Sequence, residues 1–248
     1  MPNEDYKKFL GTHPKMTVKN AKIYWEVENI DKRIGEMIKQ LEKWGIADET
    51  LFIFIGSDNG ASGGQEIHNA GMKGHKGQPY QGGTRVPAFF RWPGGGIKGG
   101  SESAALISQM DIMPTLLDMC EVPVPPSVEG LSMVGDRTRD HLYGEFGENS
   151  TATRMVVDGR HKLIYYAVGN RTQLFDLVDD PNEMRDVADD SDHAKVLDEL
   201  IELLKDQLYG TDLEWLDHGE LAGVPDLELT PRPKPDRGMG NQRGWRFM

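Results

Sequence analysis

The stretch Thr50-Leu-Phe-Ile-Phe-Ile-Gly-Ser-Asp-Asn-Gly60 decides how the rest of this chain is read. Leu51 to Ile55 is an unbroken apolar run too short for a helix and without alternation. That pattern predicts a strand buried on both faces, as in a parallel sheet covered by helices. The run stops on Ser57-Asp58-Asn59-Gly60, and two explanations compete. Asn-Gly is a strong turn signal, and an acid or amide before glycine commonly just ends a strand. In open α/β sheets, however, ligands gather outside the carboxyl ends of strands. There a carboxylate beside a carboxamide offers oxygen ligands suited to Ca²⁺ or Mg²⁺. Two such ligands do not complete a hard-cation site, so the rest would have to come from elsewhere.

Upstream, residues 17–44 carry apolar residues mostly at three- and four-residue steps, among them Val18, Ala21, Trp25, Ile30, Ile34 and Leu41. This predicts an amphipathic helix with Thr17 as N-cap and Gly45 as its stop. Helix then strand is half of a βαβ unit, yet nothing before residue 17 reads as the first strand. Downstream, short strands are expected at Val86–Phe90 and Ala104–Ile107, and a short helix at Asp111–Met119 with Pro114 in its first turn. Thr153–Val157, Lys162–Ala167 and Gln173–Leu177 read as an antiparallel meander, closed by a helix over Asp192–Leu208. The expected division is residues 1–135 as α/β domain, 136–209 as a small antiparallel sheet with a C-terminal helix, and 210–248 as a Pro- and Gly-rich tail.

Bulk composition excludes several function classes. The 248 residues have a formal net charge of −12, which disfavours nucleic acid and anionic membranes as partners. No apolar run is long enough for a membrane span, and the polar start carries no signal-peptide pattern. The single Cys120 excludes an internal disulfide and a multi-cysteine zinc site, and reads as a small core residue. Compartment and oligomeric state stay open.

A second signal is a local reversal of charge. Between Ile67 and Ser101 there is no Asp or Glu, whereas Lys73, Lys76, Arg85, Arg91 and Lys98 all fall inside, with His68 and His75. Its centre, Gly71 to Gly83, couples glycines to a Lys-His-Lys cluster. Glycines let backbone N–H groups approach an anion, and lysine supplies a point charge. The plain alternative is a solvated basic loop. A hard cation and a lysine-rich loop together suit cleavage of a charged phosphate or sulfate ester.

ETLFIFIGSDNG (49–60) and GHKGQPYQGGTRVPAFFRWPG (74–94) resemble the sulfatases of the alkaline phosphatase superfamily. ENIDKRIGEMIKQLEKWGIADET, MDIMPTLLDMCEVPVP, GRHKLIYY and LFDLVDDPNEMRDVA extend the likeness to about Tyr209. The resemblance implies the C-terminal part of a sulfatase sheet sandwich followed by a small C-terminal subdomain. It implies Asp58 and Asn59 as two Ca²⁺ ligands and Lys76 as the lysine that contacts the sulfate group. His75 and Lys73 do not fall on the matching position; His75 is kept as a substrate-binding candidate, and Arg85 as a loop brace. The family's formylglycine is made from a C/S-x-P-x-R motif, and no such motif occurs here. The paired aspartates of the family's first strand and its catalytic histidine are also missing, and His13 reads as an exposed loop residue. The expectation is therefore a portion of a sulfate-ester hydrolase, for a sulfated carbohydrate or an aryl sulfate, silent without its nucleophile. Two alternatives stand beside it: a non-catalytic anion- or glycan-binding module, and a phosphodiesterase or phosphonate hydrolase of the same superfamily.

Overall fold

The computed structural model describes residues 4–56, 59–61, 69–97, 99–135, 138–148 and 151–225. Two compact units result, one of Met1–Ser57 with Val86–Glu102, the other of Asp58–Arg85 with Ser103–Met248.

The first unit holds helices α1 (Lys7–Thr12) and α2 (Val18–Trp44) and strands β1 (Phe52–Ile55) and β2 (Ala88–Arg91). Helix α2 begins and ends where the sequence predicts. The Thr17 hydroxyl accepts the Asn20 N–H at 3.2 Å, an N-cap bond, and Gly45 is left-handed at φ 74°. The apolar stripe of α2 is less covered than its periodicity suggests: only Asn20 and Ala21 are buried, while Val18 and Ile30 are about half exposed. Strand β1 departs from the expectation. It pairs antiparallel with β2, Ile53 opposite Phe90, and all four residues are half-buried. A non-alternating apolar run reports the absence of a wet face, and carries no information about strand direction.

The second unit is built on a four-stranded antiparallel sheet in the order β3-β4-β5-β6, comprising Leu142–Phe146, Thr153–Val157, His161–Tyr166 and Arg171–Asp176. Three of these strands match the predicted meander. The first is hidden in the sequence because Gly144 interrupts it; Met155, directly opposite, lays its side chain over the missing Cβ position. On one face of the sheet, Leu163, Tyr165 and Leu174 pack with Leu200, Leu204 and Leu208 from the edge of helix α5 (Ala194–Gln207). The alternate residues Ile164 and Phe175 point to the other face, where Tyr80 closes over them. Strand β5 is therefore buried on both faces, and the segment carrying Tyr80 is part of the core.

Three further departures are local. Ala104–Ile107 forms no strand and leads instead into a capping box in which Asp111 Oδ2 accepts the Ser108 N–H at 2.8 Å. That box starts a short 3-10 turn and then helix α4 (Ile112–Met119), with Pro114 buried in its first turn. Cys120 is exposed, not a core residue, because it caps the end of α4, before the left-handed Glu121. Finally, residues 210–225, assigned to the tail in the sequence reading, carry Trp215 into the core and a hairpin, β7 (Leu216–Asp217) and β8 (Glu220–Leu221). Arg154 grips Asp212 with two bonds of 2.6 and 3.0 Å, both side chains over nine-tenths buried. His218 and Gly219 both have positive φ, as the tightest hairpin turn requires.

Candidate functional site

The candidate site lies in the second unit, where two short segments meet. One is Asn59–Ala61, the described end of the Ser-Asp-Asn-Gly motif. The other is the glycine-rich stretch from Asn69 to Arg85, which ends in the single turn α3 (Gln81–Thr84). Gly60 N donates to Gly83 O at 3.0 Å, and Lys76 N donates to Ala61 O at 2.9 Å. The close approach demands glycine. A Cβ on Gly60 would stand 1.8 Å from the Gly82 oxygen, and one on Gly83 would stand 2.1 Å from the Gln78 oxygen. The glycines predicted to let the chain approach an anion thus serve first to let the chain approach itself.

Within the loop, polar side chains hold the turns. Asn69 Nδ2 donates to the carbonyls of Met72 and Gly74 at 2.5 and 2.8 Å, and Gln78 Oε1 accepts the His75 N–H at 2.9 Å. Lys76 is exposed at the tip, and His75 beside it is half-buried with Nδ1 3.1 Å from the Lys76 carbonyl. Lys73 faces the other way: its ammonium lies 4.5 Å from the Tyr80 ring centroid and 5.1 Å from that of Phe175, in cation–π range. The two lysines of the cluster therefore stand in different surroundings, one exposed and one half-buried against aromatic rings. Arg85 is exposed and follows α3.

Asn59 carries the most informative single atom. Its Oδ1 is buried and has no hydrogen-bond partner among the described residues. A buried carboxamide oxygen normally finds a donor, and leaving it without one costs on the order of 1–3 kcal/mol. A cation would satisfy it. Asp58, its neighbour in the motif, lies outside the described residues, and among the described residues no three His, Cys, Asp or Glu side chains form a metal cage. The donor set present fits a hard cation as part of a shell of six to eight oxygens.

Below the loop lies a set of groups that the sequence reading missed. Tyr80 donates its hydroxyl to Gln173 Oε1 at 2.8 Å and sits 3.1 Å from the Tyr166 hydroxyl. Burial pushes the Tyr80 phenol above its ordinary range, which keeps it a neutral donor. Lys162 and Glu183 form a wholly buried ion pair, Nζ to Oε1 at 2.8 Å. Burial lowers the Lys162 ammonium against the pull of that carboxylate. The hint available in the sequence was a charged residue inside an otherwise apolar strand, Lys162 ahead of Leu163 to Tyr165.

With this geometry in place, the comparisons with known proteins decide the family. Residues 75–209 match the family of N-sulphoglucosamine sulphohydrolase C-terminal regions, and residues 5–122 match the sulfatase family. The chain belongs to the sulfatase family. An arylsulfatase of Clostridium perfringens is 34% identical over 228 residues, which cover 87% of this chain and 46% of that protein. An N-acetylglucosamine-6-O-sulfatase of Bacteroides thetaiotaomicron is 29% identical over 86% of this chain and 38% of its own length. Among solved structures, a 2-O GAG sulfatase superposes with a TM-score of 0.60 at 26% identity, covering 71% of this chain and 40% of that one. The chain thus spans less than half the length of these relatives. Sulfatases generally use Ca²⁺ and a formylglycine, and this sequence holds no C/S-x-P-x-R motif.

Proposed function

We propose that this chain supplies the sulfate-holding and part of the cation-holding machinery of a sulfuric ester hydrolase. The observation that carries the reading is the buried Asn59 Oδ1, without a hydrogen-bond partner among the described residues and tied through Gly60 and Ala61 to the loop that presents Lys76. Asn59 and Asp58 would hold a hard cation, most fittingly Ca²⁺, whose charge would neutralise the ester oxygens. Lys76 would steady a sulfate oxygen, or the leaving oxygen as charge builds on it. His75 stands beside Lys76 and would line the same opening. The nucleophile has to come from residues outside these 248, so the chain by itself binds and orients but does not cleave.

A sulfated carbohydrate or an aryl sulfate is the substrate class this reading favours. The relatives' names support it, being those of an arylsulfatase and of an N-acetylglucosamine-6-O-sulfatase. The test is to read the coding sequence in frame upstream of Met1 and to assay the longer product on 4-methylumbelliferyl sulfate. Turnover that falls about a hundredfold or more in Lys76→Ala is the expected result, the effect of deleting one donor from a developing anion. Equal turnover by Lys76→Ala would remove Lys76 from the site. A stop codon immediately upstream, with no sulfate or Ca²⁺ bound by the chain itself, would overturn the whole reading.

A further inference from the structure

The loop that carries Lys76 is closed on itself by Gly82 N donating to Lys73 O at 2.8 Å, and it is anchored from outside as well. At Lys73 and at Gln81 it is bonded to one short turn that follows β6, Pro181-Asn182-Glu183. At the near end, Lys73 N donates to the Asn182 carbonyl at 2.9 Å; at the far end, Gln81 N donates to Glu183 Oε2 at 2.5 Å. His75 and Lys76 lie between these two points. The turn is itself braced: Glu183 N donates to Asp180 O at 3.0 Å and Asp180 N to Asp176 O at 2.8 Å, at the end of β6. Glu183 has φ 59°, a left-handed conformation that costs a residue with a Cβ roughly 1–2 kcal/mol. The fold tolerates that strain where it aims a carboxylate at Gln81.

Stability alone does not call for such a pair. Replacing a buried ion pair by apolar side chains of similar volume is often neutral or stabilising. Here both side chains are at most 1% exposed, and Lys162 gives Glu183 its counter-charge from the second residue of β5. What an apolar pair could not provide is an acceptor for the Gln81 N–H, the backbone group at which the Lys76 loop ends.

We propose that Pro181-Asn182-Glu183 is a two-point clamp that sets where Lys76 stands, with Glu183 as its positioning residue and Lys162 as the charge that holds Glu183 there. The clamp rests on the sulfate-holding role given to Lys76 above. Through it, the four-stranded sheet acts as the template for a substrate-contacting loop.

The test compares the full chain with two double variants, Glu183→Gln with Lys162→Met and Glu183→Ala with Lys162→Met. Neither leaves an unpaired buried charge, and the two differ in whether residue 183 can accept from Gln81. Amide hydrogen exchange followed by NMR reads the clamp; an amide shift titration of Lys76 with sodium sulfate reads the site. The clamp requires that exchange at Gln81 and its neighbours in the loop rise about tenfold in the Ala double variant and stay near wild type in the Gln one, with β4, β5 and α5 unchanged in both. Sulfate should then bind the Ala double variant about tenfold more weakly. Equal exchange in all three proteins overturns the clamp, and so does faster exchange spread evenly through β4, β5 and α5, or loss of the fold in the Ala variant, since Glu183 would then be a core residue and nothing more. If the wild-type Lys76 amide ignores sulfate while the exchange pattern holds, the clamp stands as structure and its substrate role falls with the Lys76 assignment.

Discussion

Gly60→Ala is the sharpest single perturbation of the candidate site. The new methyl would be placed 1.8 Å from the Gly82 oxygen, 2.7 Å from its carbonyl carbon and 3.1 Å from the Gly83 Cα. All three are backbone atoms, so no side chain can swing aside, and Asn59–Ala61 must part from the loop. Parting breaks two hydrogen bonds, Gly60 N to Gly83 O and Lys76 N to Ala61 O. At about 1 kcal/mol net for each, the loop opens more easily by about 2 kcal/mol, or roughly thirtyfold in an equilibrium constant. Native-state hydrogen exchange at the Lys76 amide measures that directly, with the amides of α5 and the four-stranded sheet as internal controls. Lys76 protection within about twofold of wild type would refute the claim that a glycine-only approach holds the two segments together.

The remaining predictions concern the sheet unit. Asp176 is held at about 2 by hydrogen bonds from Arg160 and from the backbone of Asp179 and Val178, against a burial effect that acts the other way. Its folded-state value is below the ordinary 3.8, so the stability it adds is present above that value and is lost as pH falls toward 2. Because Arg160 is largely exposed, about 1 kcal/mol is expected. Urea midpoints should show wild type leading Asp176→Asn at pH 6 and the lead shrinking steadily below pH 4, with part of it still present at pH 2.5; a lead that ignores pH would contradict the assignment. Asp212→Ala strands the Arg154 guanidinium in the core and should cost roughly 3–5 kcal/mol, with Arg154→Met/Asp212→Leu recovering most of it. Tryptophan fluorescence during urea unfolding reads both, and a loss under 1 kcal/mol would mean that residues 210–225 are not part of the cooperative unit.

How much of this was legible beforehand depended on the range of the interaction concerned. Helix α2 could be read to the residue because its signals, the Thr17 cap and the Gly45 stop, act within one turn of themselves. Strands β4 to β6 were found by composition and turn residues, while β3 was not, because Gly144 erased its pattern and only Met155 across the ladder explains the glycine. The site motif around Asn59 and Lys76 was visible as an isolated run of glycines, lysines and amides. The different surroundings of Lys73 and Lys76 were not visible, since nothing in Lys-Gly-His-Lys says which ammonium will meet an aromatic ring.

By itself, then, the sequence determined the local elements, the reversal of charge in the loop, the candidate ligands Asp58 and Asn59, and the lack of a nucleophile motif. Only the tertiary structure decided that β1 runs antiparallel to β2, that Trp215 belongs to the core, and that Glu183 reaches Gln81, 102 residues away. The reason is the same in each case. Caps, turns and periodicity are energies between residues a few positions apart, whereas strand partners, buried ion pairs and shared cores are settled by which distant surfaces exclude water together.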